Sequence, residues 1–387
     1  MTASQIPRKR RRINGDGSLY KRKDGYWAGA FYTGTASGAT KRVVVYGKTY
    51  DEARDKLATA QQQARVGTPV PDRAWTLGPY LDYWLENFVK RNRRPATYAL
   101  YEMTVRLYLA PGLGSKKLTS LSVSLIQAFL NQRLEKGDSV RKVQIMRTVL
   151  SAALTRAMRE ELIVRNAARL VELPEWRRVT IRPWTADEAR RFLVVAKSDQ
   201  LYPAFLLLVL YGLRIGEVLG LSWDDIDFDG GKIGVRQQLQ RIRGEIFLAP
   251  VKTRADKRTL PLFDLAREAL KRQADRQLAY SEAIGSAWPD IRLVFTTRTG
   301  RPVEPRNLAR SFRRICEDNG VRIIKVHHLR HTVGSLLKDL DVPARDAQTI
   351  LGHTRISTTL EIYTDTDEQA RHQALTRLHD LFDQAED

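Results

Sequence analysis

Four short stretches concentrate the side chains able to do chemistry. KVHHLRHTVGSLLK, residues 325–338, sets His327, His328 and His331 around Arg330, in a chain with six histidines and none before position 327. GLRIGEVLGLSWDDID puts Arg214 just after Gly212, with Glu217 three residues on. PVKTRADKRTLPL carries Lys252 near a turn, and LGHTRISTTLEIYTD holds His353 and, ten residues later, Tyr363. On a helix His327 and Arg330 are i and i+3 and share a face, while His327 and His331 are i and i+4. The second spacing suits a metal, but no glutamate intervenes, no cysteine is near, and an arginine inside the cluster repels a divalent cation. Planar guanidinium forks match phosphate oxygens, so Arg214 and Arg330 suit an oxyanion, and Glu217 lies on the face from which it can orient Arg214. Taken singly, each piece also has a bland reading: a surface Arg–Glu pair, a solvated turn lysine, a tyrosine packed on a helix.

The elements around these residues fall into three modules. Residues 1–13 form a basic arm with nothing to bury. SLYKRK, the turn at Asp24-Gly25, YWAGAFYT and KRVVVYG predict a three-stranded sheet, and Thr49-Tyr-Asp-Glu52 predicts a capping box opening a helix that runs to about Val66. This gives a sheet-and-helix domain over 1–67 and, in TPVPDR, a linker over 68–73. Residues 74–175 read as an all-helical domain, with Leu77, Leu81, Trp84, Leu85 and Phe88 on one helical face and further helices near 97–109, 122–136 and 139–162. Residues 176–387 read as a mainly helical domain with a small β-sheet over about 226–262. It opens on a capping box at Thr185-Ala-Asp-Glu188 and ends in a tail helix bearing Leu375, Leu378 and Phe382. The fold class expected is therefore multidomain α+β.

Charge separates the modules further. The chain of 387 residues carries a net +21. Residues 1–70 hold 14 Lys and Arg against 5 Asp and Glu, residues 71–180 hold 19 against 10, and residues 181–387 hold 32 against 29. A basic first half points to a polyanion, foremost nucleic acid, bound with release of counterions. Candidate DNA contacts are Lys21, Arg22, Lys23, Lys41 and Arg42 on the sheet, with Arg91, Arg93, Arg94, Lys116 and Lys117 at helix ends. The apolar run at 201–211 is too short to span a bilayer, and MTASQIPRKRRRINGDG lacks the apolar core of a secretion signal. Cys316 is the only cysteine, which excludes an internal disulfide and suits a reducing cytoplasm. The expected place is the host cytoplasm, on DNA, with no membrane partner.

The order Arg…Lys…His-x-x-Arg…Gly-His…Tyr, spread over GLRIGEVLGLSWDDID, the KT followed by R-x-x-PL, H-x-LRHT and LGH…Y, resembles the tyrosine recombinases, the phage-type integrase family. The likeness extends over essentially the whole chain. It implies a catalytic set of Arg214, Lys252, His327, Arg330, His353 and Tyr363, with Glu217 in support. Tyr363 would attack a phosphodiester and leave a 3′-phosphotyrosyl bond and a 5′-hydroxyl. Arg214 and Arg330 would clamp the phosphate, His353 would donate to it, Lys252 would protonate the leaving oxygen, and His327 would relay the proton. Residue 331 would pack against the helix. No metal and no cofactor are implied, since two arginines stand where a metal would. The resemblance further implies an arm-site domain at the N-terminus, a core-site domain in the middle and a homotetramer on two DNA duplexes. An excisionase or a host DNA-bending protein are possible partners. His328 departs from the family's frequent acidic residue, and Asp256 from its small hydroxyl. A type IB topoisomerase shares the chemistry but needs no arm domain. A regulator without catalysis explains the charge but not the six-residue set, and a metal-dependent nuclease needs grouped carboxylates or cysteines.

Overall fold

The computed structural model describes residues 17–34, 40–65, 75–176, 181–251, 257–363 and 376. Two compact units are present, Met1–Arg178 and Val179–Asp387. In the first, β1 (Ser18–Lys21), β2 (Trp27–Gly34) and β3 (Thr40–Gly47) form an antiparallel sheet in that order. The turn at Asp24-Gly25 holds Gly25 at φ +86°, where a glycine is favoured. Helix α1 (Tyr50–Arg65) covers one sheet face with Ala53 and Leu57, and Thr49 Oγ1 caps it by accepting from Glu52 N at 3.2 Å.

The helical part of this unit begins with α2 (Leu77–Trp84), which continues through a π-helical turn, Leu85–Val89, into Lys90–Asn92. Pro95, in the first turn of α3 (Pro95–Thr104), has no N–H to leave unpaired; α3 in turn continues through Val105–Leu109 into Ala110–Leu113. Ser122 and Ser139 cap α4 (Val123–Glu135) and α5 (Val140–Arg159). Leu77, Leu81, Trp84 and Leu85 are buried as the spacing predicts, against Leu109, Ile126, Met146 and Leu150.

The second unit opens on the expected box: Glu188 N donates to Thr185 Oγ1 and Thr185 N to Glu188 Oε2, starting α6 (Ala186–Val195). Trp184, Phe192, Phe205 and Phe312 pack ring on ring beside α7 (Tyr202–Tyr211). That helix is apolar almost all round because the protein surrounds it. It stops at Gly212, φ +59°, and α8 (Ile215–Leu219) follows at once. The strand region holds two antiparallel sheets. One is β4 (Ile226–Asp227), β5 (Lys232–Val235) and β8 (Arg258–Pro261); the other is the hairpin β6 (Gln237–Ile242) and β7 (Glu245–Pro250). The remainder is helical: α9 (Asp264–Ile284), α10 (Pro305–Asp318), α11 (His328–Asp339), α12 (Ala344–Leu351) and α13 (Ile356–Tyr363). The expected tail helix and the arm at 1–13 lie outside the described residues, apart from Thr376.

Gly212 fixes the geometry between α7 and Arg214. A Cβ there would come within 2.6 Å of Leu351 Cδ2, and the left-handed backbone would be strained for any L side chain. Gly212→Ala is expected to destabilise the protein by about 1–3 kcal/mol, read as a lower denaturation midpoint with an unchanged m-value.

Candidate active site

Arg214 stands immediately before α8, in extended backbone, so its side chain is not committed to the helix. Its Nη1 donates to Glu217 Oε1 at 2.5 Å, its backbone N to Glu217 Oε2 at 3.1 Å, and its Nη2 to the Gly352 carbonyl at 3.1 Å. Glu217 is 2% exposed. Its second cation is Arg258 on β8, whose Nη2 donates to Oε2 at 3.0 Å. Burial pushes the Glu217 carboxyl up, but Arg258 and Arg214, by charge and hydrogen bond, outweigh it and hold it below the usual range. The i, i+3 spacing of Arg214 and Glu217 thus joins a partly exposed arginine to a buried carboxylate, not the surface pair also open from sequence.

Arg330, in the first turn of α11, is 4% exposed. Its Nη1 donates to the Gly212 carbonyl at 2.9 Å and its Nε to His353 Nε2 at 3.1 Å. Three chain segments therefore brace one another: Arg330 holds the segment carrying Arg214, Arg214 holds Gly352, and His353 holds Arg330. The other ring nitrogen of His353, Nδ1, lies 2.9 Å from Oγ1 of the fully buried Thr359 on α13. Burial and then the charge of Arg330, Arg214 and their neighbours lower the His353 imidazole to about 3. With Nε2 accepting from Arg330, that nitrogen has no hydrogen to donate in this arrangement, whereas the sequence expectation makes His353 a donor to phosphate.

His327 sits one residue before α11 and is exposed at its edge, yet its close surroundings and the charges of His331, Arg330, His328 and Arg214 lower it to about 4. His331 lies between two imidazoles, edge-to-face with His327 at 5.8 Å and with His328 at 5.9 Å between centroids. Among the described residues no three His, Cys, Asp or Glu group in a way that could hold a metal ion. Tyr363 ends α13, half-buried, and its hydroxyl donates to the Val342 carbonyl at 3.0 Å; burial raises its pKa above the ordinary phenol value. Lys252 and Asp256 lie outside the described residues. Sequence reasoning assigned no role to Arg258 or Thr359, although both lie inside the quoted motifs.

Residues 184–370 match the phage integrase family, and residues 76–134 match the N-terminal SAM-like domain of phage integrases. A tyrosine recombinase XerC-like protein of Caldanaerobacter subterraneus subsp. tengcongensis is 29% identical over 365 residues, 89% of this chain and 93% of that protein. The chain belongs to the phage integrase family. It is a tyrosine-type site-specific recombinase, an enzyme that cuts and rejoins DNA in the integration or excision of a mobile element. The fold is also that of the Tn1549 transposon integrase in complex with a circular intermediate DNA, with a TM-score of 0.68 at 22% identity over 79% of this chain and 100% of that one. The lambda integrase tetramer bound to a Holliday junction matches with a TM-score of 0.55 at 21% identity, over 92% of this chain and 98% of that one.

The structure of the recombinase does not gather the candidate DNA contacts into one patch. On the small sheet Tyr32 pairs with Arg42, and Tyr20 and Tyr46 flank Ala28 on the same face. Tyr32 is 70% exposed, and Arg22 stacks over the Tyr46 ring at 5.0 Å while pairing with Asp24. Lys21 and Lys23 are exposed; Lys41 is opposite Thr33 in the register. In the helical part Lys117 bridges to Thr76 before α2, whereas Arg91, Arg93 and Arg94 lie at the far end of that helical run. Sixteen residues of helix separate them by roughly 20 Å. No helix among the described residues is long and apolar enough to cross a membrane.

His327 and His353, both held below the ordinary 6.5, are neutral at pH 7 in the folded recombinase. In the free protein, neither His327 nor His353 is expected to titrate between pH 7 and 5, followed by the Cε1–H resonances; a midpoint near 6.5 for either would contradict this electrostatic picture. The unfolded chain binds protons at these sites first, so they make stability fall as pH drops from about 6.5 toward 4.

Proposed function

We propose that Tyr363 is the nucleophile of this recombinase, that Arg214 and Arg330 bind the scissile phosphate, and that Lys252 and His327 move the protons. The observation that carries the reading is the mutual bracing of Arg214, Arg330 and His353, which sets two guanidinium groups in one hydrogen-bonded frame. Fixed donors aimed at developing phosphate charge stabilise a transition state without reorganising when it forms. Attack on phosphorus gives a 3′-phosphotyrosyl bond and expels a 5′-oxygen, which Lys252 protonates. The covalent bond retains the energy of the phosphodiester, so the reverse attack reseals the strand without ATP. Before attack the Tyr363 hydroxyl leaves Val342 and surrenders its proton; His327, held neutral, has the lone pair to receive it.

We also read residues 1–67 as an arm-site domain, 74–175 as a core-site domain and 176–387 as the catalytic domain, joined into a homotetramer on DNA. The basic first half supports DNA binding, and the fold shared with a lambda integrase tetramer bound to a Holliday junction supports the assembly. The exposed Tyr32–Arg42 pair, beside Tyr46 and Arg22, supports the arm role of the sheet. An excisionase or DNA-bending partner belongs to this reading as an expectation from the family.

The crossover site can be mapped by sequencing the junctions the recombinase leaves in cells. On a nicked duplex of that site, the wild-type enzyme is expected to form a covalent adduct and Tyr363→Phe none, with DNA binding nearly intact. Arg330→Ala should slow single-turnover cleavage by about 10²–10³. An adduct formed by the Phe variant, or a rate for the Ala variant within a few-fold of wild type, would refute the assignment.

For the sheet, Tyr32→Ala with Arg42→Glu in the intact chain should remove protection of arm sequences while core footprints persist. Equal weakening at both kinds of site would mean that the sheet adds only non-specific affinity.

A further inference from the structure

The buried chain Arg330–His353–Thr359 reaches beyond the phosphate-binding groups into the helix that carries the nucleophile. Arginine Nε always holds its proton, so in the 3.1 Å bond to His353 Nε2 the imidazole is the acceptor. A nitrogen that accepts carries no hydrogen, and the one proton of a neutral His353 therefore sits on Nδ1. Nδ1 lies 2.9 Å from Thr359 Oγ1, so the hydroxyl accepts that proton. Exposures of 4% for Arg330, 7% for His353 and 0% for Thr359 leave little room for water to take over the bond.

We propose that Thr359 is a positioning residue for the phosphate-binding arginine: its hydroxyl fixes His353 in the Nδ1-protonated form, which presents the Nε2 lone pair to Arg330 and sets the orientation of its guanidinium. This rests on the assignment of Arg330 as a phosphate ligand made above. Without the hydroxyl, the Nδ1 proton is buried with no acceptor. What held the proton on Nδ1 is then gone, and a proton that moves to Nε2 confronts the Arg330 Nε–H, where the two donors push apart. Thr359 lies four residues before Tyr363 on α13. One helix thus carries both the nucleophile and the group that aims the arginine, so an α13 out of place also leaves Arg330 misaimed.

The test uses the full-length protein and the nicked crossover-site duplex. Thr359→Val keeps the shape and removes the hydroxyl; Thr359→Ser keeps the hydroxyl and removes a methyl. Thr359→Val should slow single-turnover cleavage about 10-fold or more with affinity for the duplex unchanged, while Thr359→Ser should cleave at a rate close to wild type. In ¹⁵N-histidine spectra, His353 should show its proton on Nδ1 in the wild type and in Ser, and shift toward Nε2 in Val. Cleavage by Val at the wild-type rate or faster, or Ser as slow as Val, would overturn the proposal, the latter by pointing to space-filling alone. Should Val not fold, the wild-type spectrum decides, since a proton on Nε2 of His353 also overturns it. A wild-type protein that forms no adduct, or a Tyr363→Phe variant that does, would instead sink the assignment of the nucleophile, and the tautomer measurement stands independently of that result.

Discussion

The hydrogen bond from Arg330 to His353 ties together parts of the chain that lie far apart in sequence. Arg330 belongs to the first turn of α11, His353 follows the left-handed Gly352 that ends α12, and the second acceptor of Arg330 is the carbonyl of Gly212, itself left-handed at the end of α7. Two helix ends that only glycine terminates comfortably are thereby brought beside a buried guanidinium. A large apolar second unit is the means: α7 is buried on nearly all sides, so its C-terminal carbonyl points at a fixed place. The site depends on the core less for stability than for the rigidity of three backbone corners.

A second clamp works through charge. Glu217 is enclosed by Arg214 and Arg258, and removing one partner of such a buried pair typically costs about 3–5 kcal/mol. Arg258 does not need to touch DNA to matter. By sharing the carboxylate it keeps Glu217 ionised, and an ionised Glu217 holds both the backbone N and the Nη1 of Arg214. The result is a side chain aimed by its own helix start and locked to Gly352 across the site.

Much of this was legible in the sequence, for a physical reason. A spacing of three residues across a helix start brings a side chain back onto the residue before the helix, so Arg214 with Glu217 could be paired from sequence alone. The capping boxes at Thr49 and Thr185 and the turn at Asp24-Gly25 are equally local, and the structure forms them where the residues predict. Contacts across long stretches were not legible. Arg258 meets Glu217 from 41 residues away, and Thr359 looked like one hydroxyl in STT until the fold buried it against His353. That His353 accepts from Arg330 was not legible for the same reason, because a tautomer is set by both neighbours of the ring and neither neighbour is adjacent in sequence. Composition alone does not separate the basic residues: Lys116 and Lys117 lie at the opposite end of a helical run from Arg91, Arg93 and Arg94.

Burial and positive charge act in the same direction on the two imidazoles. Burial first, and then neighbouring imidazoles and arginines, lower His327 and His353, while burial holds the Tyr363 phenol above its ordinary value and a backbone carbonyl accepts its proton. On the proposed assignment the free protein therefore pairs a weak base with a reluctant acid. A phosphodiester bound at the arginines would bring negative charge that offsets part of the field at His327 and raises its basicity, whereas the share of the shift due to burial would stay. Substrate binding and activation of the base would on that reading be coupled through charge.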